Sequence, residues 1–174
     1  MAEWLASIMP NVVDYRTKFW TSCLATGQMF LIAGGFTLVF GAVFGILLTV
    51  TRKDGIAENA VVYRIVNTIT NIFRSIPFII LLIFLIPLTR LIVGTAIGVK
   101  GAIVPLVFGA VPFFTRQMEA ALANVSPGKV EAAAAMGSGK LGIIFRVYLH
   151  EAVPDIIRVV TITAISLIGL TTMA

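Results

Sequence analysis

The chain has 174 residues, of which 59% are hydrophobic and 12% charged, and its net charge is +5. An ordinary soluble domain is nearer 45–50% apolar and about a quarter charged, and surface-to-volume scaling leaves no room for this excess in a water-soluble core. The bilayer is the natural solvent for it: the basic residues are not interleaved with aromatics as a nucleic-acid groove requires, and one cysteine (Cys23) with one histidine (His150) leaves no intrachain disulfide and no Cys/His metal cluster.

Cys23 to Val50 is a run of 28 residues without a charge, longer than the roughly 20 residues that cross a hydrocarbon core. It predicts a first span over about residues 21–50, in which Gly41 and Gly45 form a small-xxx-small pair that admits a neighbouring helix. Thr51–Gly55 reads as a short turn. The second segment, 61–93, is interrupted by Arg64 and Arg74 and is uncharged from Ser75 to Thr89. As one helix it would be about 50 Å long, more than a bilayer needs, so its first turns are expected in the headgroup region. Pro77 is expected to kink it just inside the membrane, and Pro87 to begin its exit. Asn67 and Asn71 lie one turn apart and are candidates to cross-bond helices.

Gly101 to Thr115 is uncharged and predicts a third span over about 101–120, bent locally by Pro105 and Pro112. Arg116 and Glu119 follow at i, i+3 spacing and are expected to pair. The fourth span, about 154–174, starts at Pro154. Its apolar part runs to the last residue without a basic anchor, so the chain is expected to be incomplete. With four spans, Arg16, Lys18, Arg90 and Lys100 fall on one side of the membrane and the other nine of the 13 basic residues on the opposite side. The positive-inside rule places the nine in the cytoplasm and the N-terminus outside.

The cytoplasmic side then carries the stretch of about residues 126–151. Ser126 is placed to cap a helix and Pro127 to open it. Ala132–Ala135 favour helix, and Gly137 is expected to stop it in the left-handed conformation. A helix of about ten residues is marginal alone in water, so something must hold it, and a surface of four alanines is suited to a groove on a partner. Lys140–Glu151 predicts a second, amphipathic helix offering Leu141, Ile144, Phe145, Tyr148 and Leu149 to the spans. On pattern alone, this stretch reads equally as a docking element or as a well-formed connecting loop. Met136–Gly142 is no phosphate-binding loop: it lacks the first glycine at the required distance, and Leu141 stands where the metal-binding hydroxyl should be.

Glu131-Ala132-Ala133, three residues, Gly137, and later Leu149-x-x-Ala152-x-Pro154 resembles the EAA signature of permease subunits of bacterial ABC importers. The stretch NIFRSIPFIILLIFLIPLTRLIVGT, from Asn71 to Thr95, is similar to the methionine-importer branch, and the likeness runs from about residue 20 onward. His150 departs from the usual proline after the leucine. The resemblance implies an all-α polytopic helix bundle of the type I importer permease kind, in a bacterial inner membrane, truncated here before its last span. It implies a homodimer of permeases, two ABC ATPase subunits and an external methionine-binding protein. This chain is then not an enzyme and carries no cofactor; ATP and Mg are bound by the partner ATPase. Glu131, Ala132, Ala133 and Gly137 become the residues that couple to that ATPase. Arg74, Pro77 and Asn71 are candidates for gating or packing, with snorkelling of Arg74 to the headgroups the simpler reading. A permease for another amino acid or small solute, or a non-transporting membrane fragment, are the alternatives. An ion-coupled carrier is disfavoured because the uncharged cores hold no Asp, Glu or His.

Overall fold

The computed structural model describes residues 15–174; residues 1–14, and with them the expected external N-terminus, lie outside the described residues. Among the described residues the regular structure is entirely helical. In chain order the elements are α1 (Arg16–Thr51), α2 (Ala60–Ser75), α3 (Phe78–Phe84), α4 (Ile86–Val93), α5 (Gly98–Ala123), α6 (Pro127–Ala135), α7 (Lys140–Ile143), a π-helical segment (Ile144–Tyr148), α8 (Leu149–Glu151) and α9 (Val153–Thr171).

The bundle is organised around α5. More than half of its apolar stretch is buried (56%), against 28% for α1 and 17% for α9. All three are long and apolar enough to cross a membrane. The small-residue pair of α1 meets α5 directly: a Cβ built on Gly41 would lie 2.5 Å from the Phe114 ring, and one on Gly45 would lie 2.7 Å from Met118 and 3.1 Å from the Thr115 carbonyl. The glycines let the two backbones approach, and dispersion over that close contact holds helices together where lipid removes the hydrophobic drive. The hydroxyls of Thr49 and Thr163 are buried inside the bundle because each donates to its own helix four residues back, Thr49 to Gly45 at 2.9 Å and Thr163 to Val159 at 2.8 Å.

The second segment departs from its expected form. Instead of one kinked helix over 61–93, the chain breaks between α2 and α3 and turns through 104°. Pro77 has no N–H to continue the ladder, and it drives Ile76 into extended backbone (φ −88°, ψ 122°). A second break at Leu85 separates α3 from α4, which ends on Gly94 in the left-handed conformation. By contrast, α5 runs as one helix through both Pro105 and Pro112. Asn59 opens α2, its side-chain oxygen accepting from the amides of Val61 and Val62, each at 3.1 Å.

α2 is inside-out relative to a helix of a soluble protein. Val61, Ile65, Ile69 and Ile72 form an exposed apolar stripe, while Asn67 and Asn71 turn towards α5. That arrangement suits a solvent of hydrocarbon, which tolerates the isoleucines and not the amides.

Candidate coupling loop and polar seam

Two polar features stand out, one facing away from the bundle and one within it. The first is α6. Pro127 occupies its first turn, and Ser126 stands at the capping position, but the Ser126 side chain makes no capping hydrogen bond. Only its carbonyl takes part, accepting from Lys129 N–H at 3.1 Å. The far end closes as expected. Gly137 has φ +80°, its amide donates to Ala134, and the Ser138 amide donates to Ala133 at 3.0 Å. These are the two bonds of a Schellman closure, which satisfies the orphan carbonyls and needs glycine in the left-handed position.

Of the alanines in α6, Ala133 alone is buried (5% exposed), packed into a cluster with Met118 and Leu122 of α5, Ile143, Tyr148 and Val159. Its small size is therefore set by the chain's own core. Ala132, expected beside it on one docking surface, is exposed, as are Glu131, Ala134, Ala135 and Gly137. Among the described residues Glu131 makes no ion pair. A second anchor comes from Lys129, which pairs with Glu151. The Lys129 hydrogen bond holds the Glu151 carboxyl below its usual value of 4.5, against an opposing desolvation.

The helix after the loop presents only part of the face its periodicity predicts: Tyr148 is buried and Leu149 packs against the same cluster. Leu141 and Phe145 point outward, 71% and 64% exposed, whereas Ile143 and Tyr148 are buried at 3% and 5%. The π-helical segment is the cause. Ile143 and Tyr148 are five residues apart, the π repeat, so the inward face rotates away from the i, i+4 stripe. Met136 joins Leu141 and Phe145 on the outside at 79% exposure.

The second feature is a seam between α2 and α5. Arg116 donates to Glu119 at 2.6 Å, to Asn71 at 2.9 Å and to the side chain of Asn67. Arg116 and Glu119 are largely buried, at 18% and 16% exposure. The spacing of each pair was visible in the sequence, but nothing in it showed that one guanidinium joins them. Its planar fork can serve three acceptors at once, leaving few charges or amides unsatisfied against hydrocarbon. Asn71 thereby bonds α2 to α5. Arg74 stands apart, exposed on the last turn of α2 beside a shallow depression that Thr163 and Ser166 of α9 also line. Pro77 sits at the 104° turn itself.

The model of the family "Binding-protein-dependent transport system inner membrane component" matches residues 41–174. The chain belongs to that family. It is 50% identical over 148 residues to the D-methionine transport system permease protein MetI of Escherichia coli K12, covering 85% of this chain and 68% of the relative. It also superposes on a chain of the MetNI methionine ABC transporter in an inward-facing conformation, with a TM-score of 0.84 and 49% identity over 86% of this chain and 69% of that one. An amino acid ABC transporter solved with histidines shares the fold at 16% identity, TM-score 0.72, covering 94% and 73% of the two chains. The fold is that of a type I ABC importer permease, a multi-pass inner-membrane protein.

Proposed function

We propose that the chain is the membrane-spanning subunit of an ATP-driven methionine importer, lining the pathway as one of two copies and receiving substrate from an external binding protein. In this reading α6 faces the cytosol and docks on a partner ATPase that holds the ATP and Mg and performs the hydrolysis. The supporting observation is the open face of α6. It carries a carboxylate, Glu131, that makes no ion pair among the described residues, on a helix whose other side is fixed to the bundle, in a chain half identical to a D-methionine permease.

Glu131 accepts from a basic group of the ATPase, and Ala132, with Ala134 and Ala135, lets the two surfaces close. When ATP draws the ATPase dimer together, α6 moves with it. Ala133 sits among α5 and α9 side chains, and Lys129 is tied to Glu151, so displacement passes into two spans as a switch between access states. Gly137 lets the chain reverse direction immediately after the docked helix. The test is uptake of labelled methionine, with ATP hydrolysis measured in parallel, by the full complex in vesicles. Glu131→Ala and Gly137→Leu are expected to retain membrane insertion while hydrolysis no longer drives uptake; wild-type uptake by both would overturn the role of α6. Competition by other amino acids tests the substrate.

A further inference from the structure

A recess of about 280 Å³ opens where α2 breaks, walled by α3, α5 and α9. Its volume lies near the small end of the roughly 300–1,000 Å³ usual for ligand pockets, a size for one small solute. Two independent measures set it deep in the membrane. Gly109 and Phe113, which line it, stand near the midpoint of the 26 residues of α5. Arg74, which also lines it, lies about 21 Å along α2 from Ala60 at ~1.5 Å per residue, within a hydrocarbon core about 30 Å thick. Arg74 is exposed and makes no ion pair among the described residues. A guanidinium turned to lipid at that depth is costly, so an arginine so placed faces a water-filled space and marks a solute path.

We propose that this recess is a transit subsite for the transported amino acid, in which Arg74 holds the carboxylate and an aromatic wall receives the side chain. It deepens the importer reading and rests on it. The chemistry of the lining selects among small solutes. Arg74 is the one charged residue there and no carboxylate lines the recess, so an anionic group is favoured over a cationic one. A planar guanidinium meets a carboxylate with two parallel hydrogen bonds. Phe73, Phe78 and Phe113 supply the wall, which suits an aliphatic or thioether chain, sulfur making favourable contacts with aromatic rings. A sugar finds little to bond. Of the two hydroxyls that α9 contributes, Thr163 already donates to the Val159 carbonyl at 2.8 Å, whereas Ser166 makes no hydrogen bond among the described residues and can accept from the ammonium group. The hydrogen-bond ladder of α2 also ends at the recess, where the chain turns at Ile76–Pro77. The carbonyl end of a helix carries the partial negative charge that an ammonium takes. Arg116, by contrast, is already committed to Glu119, Asn67 and Asn71.

Photo-methionine, an analogue that carries a diazirine in its side chain, tests this on the full complex in vesicles. After irradiation the labelled peptides are mapped by mass spectrometry. Label is expected on the segments 73–81, 109–113 or 163–170, and excess methionine is expected to suppress it. Methioninol, which has the same side chain and amino group but no carboxylate, is expected to compete at least tenfold less well. Arg74→Gln is expected to lower the labelling about tenfold, the loss of one charge-assisted contact, and Arg74→Lys to recover part of it, because a point charge replaces the fork. Ser166→Leu fills the recess without touching Arg74 and is expected to abolish the label. Label confined to other segments, equal competition by methioninol, or unchanged labelling in Arg74→Gln overturns the proposal. Uptake of labelled methionine by the same vesicles separates the two readings. A complex that imports methionine but is not labelled at the recess loses this proposal alone, whereas a wild-type complex that imports none loses the importer reading itself.

Discussion

The α6 loop and the α2–α5 seam treat charge in opposite ways. In the seam, one arginine satisfies a carboxylate and two amides, with Arg116 and Glu119 themselves largely buried. On α6, one side is fixed by a buried alanine and an ion pair, and the carboxylate on the other side makes no ion pair among the described residues. Charges sealed in a membrane must be paired where they are, because hydrocarbon offers no alternative. A charge left open on a short, well-closed helix is available for something outside the chain. The contrast separates residues that hold the permease together from residues that present it.

Breaking the seam is expected to cost most. Arg116→Met strands Glu119, Asn67 and Asn71, and losing one member of a largely buried charged network costs about 2–4 kcal/mol. Thermal unfolding of the purified complex measures it, and Arg116→Lys is expected to recover part of the loss because a point charge cannot span all three acceptors. Next comes the inner side of α6. Ala133→Leu forces a larger side chain into a filled cluster, at about 1–3 kcal/mol, whereas Ala132→Leu, one residue away and exposed, is expected to leave unfolding within about 0.5 kcal/mol of wild type. Similar losses in both would erase the division between the faces. Glu131→Ala is likewise expected to stay within about 0.5 kcal/mol, so that its effect appears in uptake and not in melting.

The smallest effect concerns pH. Glu151 is lowered by Lys129 from 4.5, so the anchoring from this pair is fully present above the ordinary carboxylate value and is lost as pH falls through the lowered one. Proteolytic cutting of the 126–151 loop is expected to rise as the pH is taken below 4.5, and this rise is expected to vanish in Lys129→Met. The pair is exposed, so the change is modest.

Much of this was legible in the residues. Gly41 and Gly45 announced a close helix contact, Arg116 and Glu119 a pair, Gly137 a left-handed stop, and the EAA pattern a family. Local chemistry decides each of these. What escaped depends on partners distant in sequence or on a change of helical register. Asn67 lies 49 residues from the arginine it serves. The inward face of the helix after α6 follows a π repeat that 3.6-residue periodicity cannot reveal. The Ile76–Pro77 break was read as a kink because proline states that a helix is disturbed, not how far the chain then turns. Ser126 had the right type and place for a cap, yet its side chain makes no capping bond.

The seam also has a consequence for biogenesis. α2 carries two arginines and two asparagines in 16 residues, a poor candidate for entering a bilayer unaided. The guanidinium that satisfies Asn71 lies 45 residues further along the chain, so it does not exist until the ribosome has made α5. The bonds that join α2 to α5 therefore form only after both helices have been made.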